Sequence, residues 1–115
     1  AALGNQIEMI NIEDFNKIEI KIGKILSAEK LEGSDKLLKI ILDVGEETPR
    51  QILSGIAEYT PDPSALVGKE VPVIANLEPR TLRGEISYGM MLAADGGKPI
   101  LLHPAEEVVP GSRVK

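Results

Sequence analysis

A chain of 115 residues is long enough for one domain with a single hydrophobic core, and a hydrophobic fraction of 43% excludes a disordered chain. It has no cysteine, so disulfides and thiolate metal sites are excluded, and its net charge of −5 argues against a broadly basic nucleic-acid surface. No apolar run approaches the ~18 residues of a membrane helix. The only aromatic residues are Phe15, Tyr59 and Tyr88, which predicts an aliphatic core.

The N-terminal part predicts a lead-in followed by one domain. The chain starts at Ala1 rather than methionine, so we expect a fragment in which residues 1–11 are a linker from a preceding domain. Residues 12–115 are then the folded domain. Residues 12–15 predict a short helical turn, because their acidic side chains suit the positive end of a helix.

From Ile18 the hydrophobic residues alternate with polar ones, which predicts a half-buried strand that continues to Ala28. We expect Gly23 to mark a bulge or sharp bend in it. Ser64 is predicted to cap a short turn, and Pro72 to place its strand at a sheet edge. Further strands are predicted at residues 37–44, 51–53, 71–75, 90–94, 100–102 and 113–114.

Five or six short strands with little helix predict an all-β fold. A five-stranded OB-fold barrel with short helical turns and short N- and C-terminal extensions fits the strand count best. An SH3-like barrel is the alternative, and periodicity does not separate the two.

The segment 75–94 is the most informative part of the chain. Arg80, Arg83 and Asn76 lie in a loop bounded by proline and glycine, and a Ser-x-Gly-Met turn then leads into an apolar strand. Guanidinium groups, an amide and a soft apolar side chain beside a strand can bind a phosphate backbone and an unstacked base together. In the simpler alternative, Arg83 pairs with Glu85 or Glu78 in a solvated loop.

Five blocks of this sequence also resemble, in order, a known family. The blocks are residues 20–25, 34–37, 51–55, 75–84 and 87–90. Across roughly residues 12–115 the chain resembles the tRNA-binding OB domain appended to aminoacyl-tRNA synthetases. The resemblance is greatest to the C-terminal domain of prokaryotic or archaeal methionyl-tRNA synthetases.

This resemblance implies a non-catalytic cytoplasmic module that binds tRNA by shape, largely without regard to its sequence, and raises the tRNA affinity of the synthetase in aminoacylation. The implied partners are tRNA, a second copy of the chain, and the catalytic part of a methionyl-tRNA synthetase. No cofactor, metal or membrane is implied.

The resemblance and the local chemistry together nominate a set of tRNA-binding residues. The set is Lys36, Arg50, Asn76, Arg80, Arg83, Ser87 and Met90. Asn76 has an equal alternative as a turn cap. The chain departs from the family pattern at Glu78, where lysine is common, and at Ser34 and Lys21, which replace alanine and arginine.

Two other interpretations remain open. The chain could be a dimerisation module with weak or vestigial RNA binding, its interface formed by Ile7, Ile10, Val108 and Val109. It could instead be a stand-alone, structure-specific tRNA-binding protein. A catalytic role lacks support, because the single histidine, His103, has no nucleophile or paired carboxylate beside it in sequence.

Overall fold

A computed structural model describes residues 8–115, so the predicted interface residue Ile7 lies outside the described part. The predicted helical turn is confirmed as α1 (Ile12–Asn16). Its start is fixed by Asn11, whose side-chain oxygen accepts a hydrogen bond from the backbone N–H of Asp14 at 2.8 Å. The Asp14 carboxylate accepts in return from the N–H of Asn11, so the two residues form a capping box.

Strands make up most of the regular secondary structure in the described chain. In order they are β1 (Ile20–Lys30), β2 (Leu38–Asp43), β3 (Arg50–Ser54), β4 (Glu70–Ile74), β5 (Arg80–Leu82), β6 (Glu85–Ser87), β7 (Met90–Met91), β8 (Ala93–Asp95), β9 (Pro99–Leu101) and β10 (Arg113–Val114). The main sheet has the order β3-β2-β1-β4-β7, and β10 pairs with the start of β1. Two hairpins, β5–β6 and β8–β9, form separate two-stranded sheets.

The barrel closes between β3 and the connection from β6 to β7. The N–H of Tyr88 donates to the carbonyl of Gln51 at 2.9 Å, and the N–H of Leu53 donates to the Ser87 hydroxyl at 3.0 Å. These bonds bring the two ends of the sheet together into a nearly closed antiparallel barrel of five strands. The all-β, OB-like prediction is therefore confirmed.

The core is aliphatic, as predicted, and it follows the two-residue period of the strands. On β2 every second side chain points inward, so Leu38, Ile40 and Leu42 have no exposed surface while their neighbours are partly exposed. Each such side chain contributes about 1.5–3 kcal/mol through burial. The rest of the main cluster is Ile25, Val44, Ile52, Ile56, Ala57, Leu66, Val71, Val73 and Met91.

The expectation of a bulge at Gly23 is wrong. Gly23 pairs in register with Val71, and the register shift in β1 falls between Ile25 and Ser27. Gly23 serves packing instead, because a Cβ there would lie 2.9 Å from Val44 Cγ1 and 3.0 Å from Leu42 Cδ2.

Two expectations about single residues also need correction. The cap of the 3₁₀ turn Pro63–Leu66 is Asp62, whose side chain accepts from the N–H of Ser64, so Ser64 is not the cap. Pro72 does not mark an edge strand, because β4 lies between β1 and β7. The Pro72 carbonyl accepts a hydrogen bond from the N–H of Leu92 at 3.0 Å, so Pro72 faces the residue directly after β7. The N–H that proline lacks is therefore missing where the pairing with β7 ends.

The segment 75–94 contains more structure than predicted. The expected strand 90–94 is divided at Leu92 into β7 and β8, and the expected loop contains the β5–β6 hairpin. The two turn residues of this hairpin, Arg83 and Gly84, have φ values of 52° and 81°. Two consecutive positive φ values are typical of a type I′ turn, whose twist matches that of paired strands.

We predict that Gly89→Ala destabilises the domain. Gly89 has a φ of 140°, and a Cβ there would lie 2.6 Å from the backbone oxygen of Ile74. Backbone strain alone costs about 1–3 kcal/mol, and the clash with a backbone atom adds to it. The measurement is the free energy of unfolding in urea. Gly55→Ala is the control, because no atom lies within 4 Å and the change is expected within about 0.5 kcal/mol. Equal losses for the two variants would contradict the prediction.

Candidate nucleic-acid interface

The β5–β6 hairpin lies across the outer face of β2 and β3. Lys39 Nζ on β2 is 3.8 Å from Glu85 Oε1 on β6. The Gln51 side-chain nitrogen donates to the same Glu85 oxygen at 3.1 Å and to the Ile86 carbonyl at 2.9 Å. Leu53 is buried outside the main core cluster, because the segment 77–90 covers it there. The hairpin is thereby held in a fixed position on the barrel.

Arg80 lies at a small apolar cavity between this hairpin and β3. Arg80 pairs with Ser87 across the hairpin, and Leu82 pairs with Glu85. The cavity has a volume of about 90 Å³, and its lining consists of Leu53, Leu77, Glu78, Arg80, Leu82, Ser87, Gly89 and Met90. A guanidinium group beside apolar side chains is the combination that the sequence predicted here.

Met90 is the outward-facing member of the methionine pair. Met90 is 45% exposed, whereas Met91 is buried in the core, which confirms the prediction that one of the two faces outward. Leu77 is also exposed and shares the cavity, although it is not among the residues nominated from the sequence. The sequence feature that could have identified Leu77 is its position as an apolar residue directly after Asn76 in an otherwise polar loop.

Arg83 and Lys36 extend the cationic surface on two turns. Arg83 is exposed at the tip of the β5–β6 hairpin. Lys36 is exposed in the β1–β2 loop, where its carbonyl accepts from the N–H of Ala57 and Ser34 Oγ accepts from its N–H. Within residues 8–115, no carboxylate lies within 4 Å of the charged groups of Lys36, Arg80 or Arg83. The pairing of Arg83 with Glu85 or Glu78 is therefore not observed.

Arg50 is placed differently, because its guanidinium bonds within the chain. It forms a forked pair with Glu46, with Nε donating at 3.0 Å and Nη2 at 2.5 Å. Its Nη1 donates to the carbonyls of Ala75 and Tyr88, each at 2.7 Å. The side chain of Arg50 is only 17% exposed, and it joins three separate parts of the barrel.

The Arg50 pair changes the acidity of Glu46. The hydrogen bond from Arg50 and its charge lower the pKa of Glu46, and partial burial opposes this only in part. The carboxylate is consequently stabilised in its ionised form in the folded chain.

Asn76 and Ser87 also use their polar atoms inside the domain. The Asn76 side chain accepts from the N–H of Glu19 at 2.8 Å and donates to the Lys17 carbonyl at 2.6 Å. It ties the end of α1 to β4, rather than capping a turn through its own backbone. Ser87 is buried, accepting from Leu53 and donating to the Gly89 carbonyl at 3.1 Å.

The geometry therefore divides the nominated residues into two groups. Arg80, Arg83, Met90 and Lys36 present their side chains to solvent, on the hairpin, on β7 beside the cavity, and on the β1–β2 loop. Arg50, Asn76 and Ser87 lie beneath or beside this surface and hold the strands and turns that carry it.

Comparison with known proteins gives a consistent set of similarities. The family model described as "Putative tRNA binding domain" matches residues 20–113. Over 111 residues the chain is 55% identical to a methionine–tRNA ligase of Archaeoglobus fulgidus, and over 109 residues it is 46% identical to one of Enterococcus faecalis. These alignments cover 95% and 93% of this chain, which spans about 16% of the length of either curated relative.

Solved structures with this fold include small proteins. A MetRS-related protein from Pyrococcus horikoshii has a TM-score of 0.86 and 37% identity, covering 95% of this chain and all of that one. The chaperone CsaA from Bacillus anthracis has a TM-score of 0.82 and 25% identity, with coverage of 94% and 100%. No helix among residues 8–115 is long and apolar enough to span a membrane.

We predict that Glu46→Gln destabilises the domain at neutral pH and that this loss shrinks in acid. Because the pKa of Glu46 is lower in the folded chain, the pair stabilises fully above the unfolded value of 4.5 and is lost as the pH falls through the lower folded value. The expected loss at pH 7 is up to about 1 kcal/mol, since the pair is partly exposed.

Urea unfolding between pH 7 and pH 3 measures the effect. Glu47→Gln is the matched control, because Glu47 is exposed and forms no ion pair with residues 8–115. A loss for Glu46→Gln that stays constant from pH 7 to pH 3 would contradict the role of the pair.

Proposed function

This chain belongs to the tRNA-binding domain family, and from that premise we propose that it is a non-catalytic module that binds tRNA largely without regard to sequence. We further propose that it is appended to a methionyl-tRNA synthetase and raises the affinity of that enzyme for tRNA. The similarity to methionine–tRNA ligases over a small part of their length supports both steps. Because aminoacylation for protein synthesis takes place in the cytoplasm, the chain acts there in this proposal.

The observation that carries the proposal is the position of Arg80 beside exposed apolar side chains. Arg80, Leu77 and Met90 share one cavity, which the hairpin contacts to Glu85 hold in place. A guanidinium group binds phosphate through a fork of donors, while Met90 and Leu77 offer apolar surface to an unstacked base. Arg83 at the tip of the hairpin and Lys36 in the β1–β2 loop give two further phosphate contacts.

The charge distribution sets the character of the binding. The chain has a net charge of −5, so attraction must come from individual exposed cations, Lys36, Arg80 and Arg83, rather than from the whole domain. Glu78 lies in the lining of the same cavity as Arg80 and opposes phosphate there. We therefore propose moderate affinity that falls steeply with salt.

Arg50, Asn76 and Ser87 take part in this proposal by positioning. The side chains of Arg50 and Ser87 bond to backbone groups of Leu53, Ala75 and the Ser87–Gly89 connection, close to the cavity. The Asn76 side chain ties the start of the loop before β5 to the segment between α1 and β1.

Tethering to the synthetase explains how a module that binds tRNA weakly raises the affinity of the enzyme. Once the catalytic part holds its tRNA, the second contact is intramolecular, which raises the total affinity without any new chemistry.

We also propose homodimerisation, supported by apolar residues exposed near both ends of the described chain. Val109 is 76% exposed, and Ile10, Ile12 and Val108 are exposed as well. The Arg113 guanidinium donates to the carbonyl of Asn16, so the end of α1 and β10 lie side by side. An exposed apolar surface of this kind is typical of a protein interface.

A stand-alone protein is the second candidate. The MetRS-related protein of Pyrococcus horikoshii and CsaA of Bacillus anthracis are each covered completely by this chain, so domains of this size occur as separate chains in solved structures. This candidate shares the tRNA site and differs only in lacking the tethered enzyme.

We predict that the triple variant Lys36→Ala, Arg80→Ala, Arg83→Ala weakens tRNA binding by at least about 10-fold. The slope of log affinity against log salt is expected to fall by about three, because three phosphate contacts are removed. The measurement is a tRNA titration at several salt concentrations, with duplex DNA as competitor.

The matched control is Lys24→Ala, Lys69→Ala, Lys98→Ala, which removes three exposed lysines from other parts of the surface. It changes the net charge equally and is expected to keep most of the affinity and the salt slope. Equal effects of the two triple variants would show a diffuse electrostatic attraction and refute the proposed site.

We predict that the chain forms a dimer at micromolar concentration, with twice its mass of 12.4 kDa by light scattering. The double variant Ile10→Asp, Val109→Asp is expected to be monomeric, because burying two carboxylates in an apolar interface is costly. Val67→Asp is the control, since Val67 is exposed elsewhere, in the connection before β4. A monomeric parent chain would refute the dimer while leaving the tRNA site intact.

A further inference from the structure

A second cleft lies on the opposite side of the Ser87–Gly89 connection from the Arg80 cavity. Its volume is about 400 Å³, and it is lined by Glu46, Thr48, Pro49, Arg50, Gln51 and Tyr88. Neither the family similarity nor the phosphate contacts proposed above account for it. It is within the size range of ordinary small-ligand pockets.

Tyr88 presents its ring to this cleft from a fixed backbone. Its N–H donates to the carbonyl of Gln51 at 2.9 Å, and its own carbonyl accepts from Arg50 Nη1 at 2.7 Å. Tyr88 is 43% exposed, and its hydroxyl makes no hydrogen bond to residues 8–115. An aromatic ring on a fixed backbone loses little conformational freedom when a flat ligand stacks on it.

The other walls are rigid and rich in hydrogen-bond acceptors. The planar guanidinium of Arg50 is held by its fork to Glu46 and by two backbone carbonyls. The Gln51 side-chain nitrogen is engaged by Glu85 and Ile86, which leaves its oxygen as an acceptor. The carboxylate of Glu46 keeps lone pairs beyond those used by Arg50.

We propose that this cleft binds one unstacked nucleobase, which stacks on the Tyr88 ring; this site rests on the proposed tRNA-binding function. The ionised Glu46 disfavours a phosphate there, because the pair with Arg50 already neutralises the only cation of the lining. A base carries no charge, has a π-face for Tyr88, and presents N–H groups to acceptors.

The position of the cleft fits a single strand that also contacts the Arg80 cavity. Gln51 and Leu53 are two residues apart on β3, so their side chains lie on the same face, one in each lining. The Ser87–Gly89 connection separates the two linings. One strand crossing this connection can place phosphates on Arg80 and Arg83 and a base on Tyr88.

Tyrosine fluorescence tests the stacking directly. Tyr59 and Tyr88 are the only tyrosines and there is no tryptophan, so Tyr59→Phe leaves Tyr88 as the sole emitter and Tyr88→Phe leaves Tyr59. On titration with tRNA, Tyr59→Phe is expected to lose its emission with the same midpoint as binding. Tyr88→Phe is expected to keep its emission, and it corrects for absorption by the RNA.

Binding affinity gives an independent readout with labelled tRNA. Tyr88→Ala is expected to bind about 5- to 100-fold more weakly, and Tyr88→Phe nearly as well as the parent, because stacking needs the ring and not the hydroxyl. Tyr59→Ala is the control, because Tyr59 is also an exposed tyrosine and lies beside the β8–β9 hairpin. Thermal melting confirms that each variant is folded.

The outcomes separate this site from the proposed function. Normal tRNA binding with unquenched Tyr88 and an unchanged affinity for Tyr88→Ala would overturn the base site and leave the tRNA module standing. Absence of tRNA binding by the parent chain at low salt would overturn both. Quenching together with a loss of affinity confined to Tyr88→Ala would establish the site.

Discussion

Closure of the barrel between β3 and the β6–β7 connection is the constraint on which the rest of the structure depends. The closure is made partly by side chains. The Ser87 hydroxyl accepts a hydrogen bond from the N–H of Leu53, and the Arg50 guanidinium donates to the carbonyls of Ala75 and Tyr88. A short β7 pairs with β4 through only two residues, so these side-chain bonds supply what a continuous ladder supplies elsewhere. Both candidate clefts border this closure, and their shape depends on it.

The same closure explains how a chain with a net negative charge can carry the proposed RNA-binding surface. Arg50 is neutralised by Glu46 and Lys39 is paired with Glu85, so these two cations support the framework. Lys36, Arg80 and Arg83 stand on turns and on a hairpin that the framework holds in place. Because the backbone that carries these cations is already ordered, binding phosphate costs only the ordering of their side chains, which is how a few of them can offset an unfavourable net charge.

Sequence patterns were sufficient to predict an all-β barrel of short strands, but periodicity did not separate an OB-fold from an SH3-like barrel, and β4, which is buried on both faces, carries no alternation. The β5–β6 hairpin was missed, since three-residue strands carry almost no periodic signal and Arg83 is an unusual residue for a positive φ. The sequence identified the nominated residues by their type, but it did not predict the groups to which they hydrogen-bond in the fold. Arg50 bonds to carbonyls 25 and 38 residues away, and Asn76 bonds across 57 and 59 residues. Such contacts exist only once the topology is known.

The central position of β1 has a consequence for the way the chain reaches its fold. Ile20 pairs on one side with Ile74 and on the other with Val114, so the first strand finds its last neighbour only at the far end of the described chain. Until β10 has paired with it, one edge at the start of β1 remains unpaired and available to another strand. Contacts this distant in sequence slow folding, because the entropy of closing long loops is lost before the contacts form. During synthesis, β1 therefore emerges before the other strands of the barrel and is the last to be fully paired.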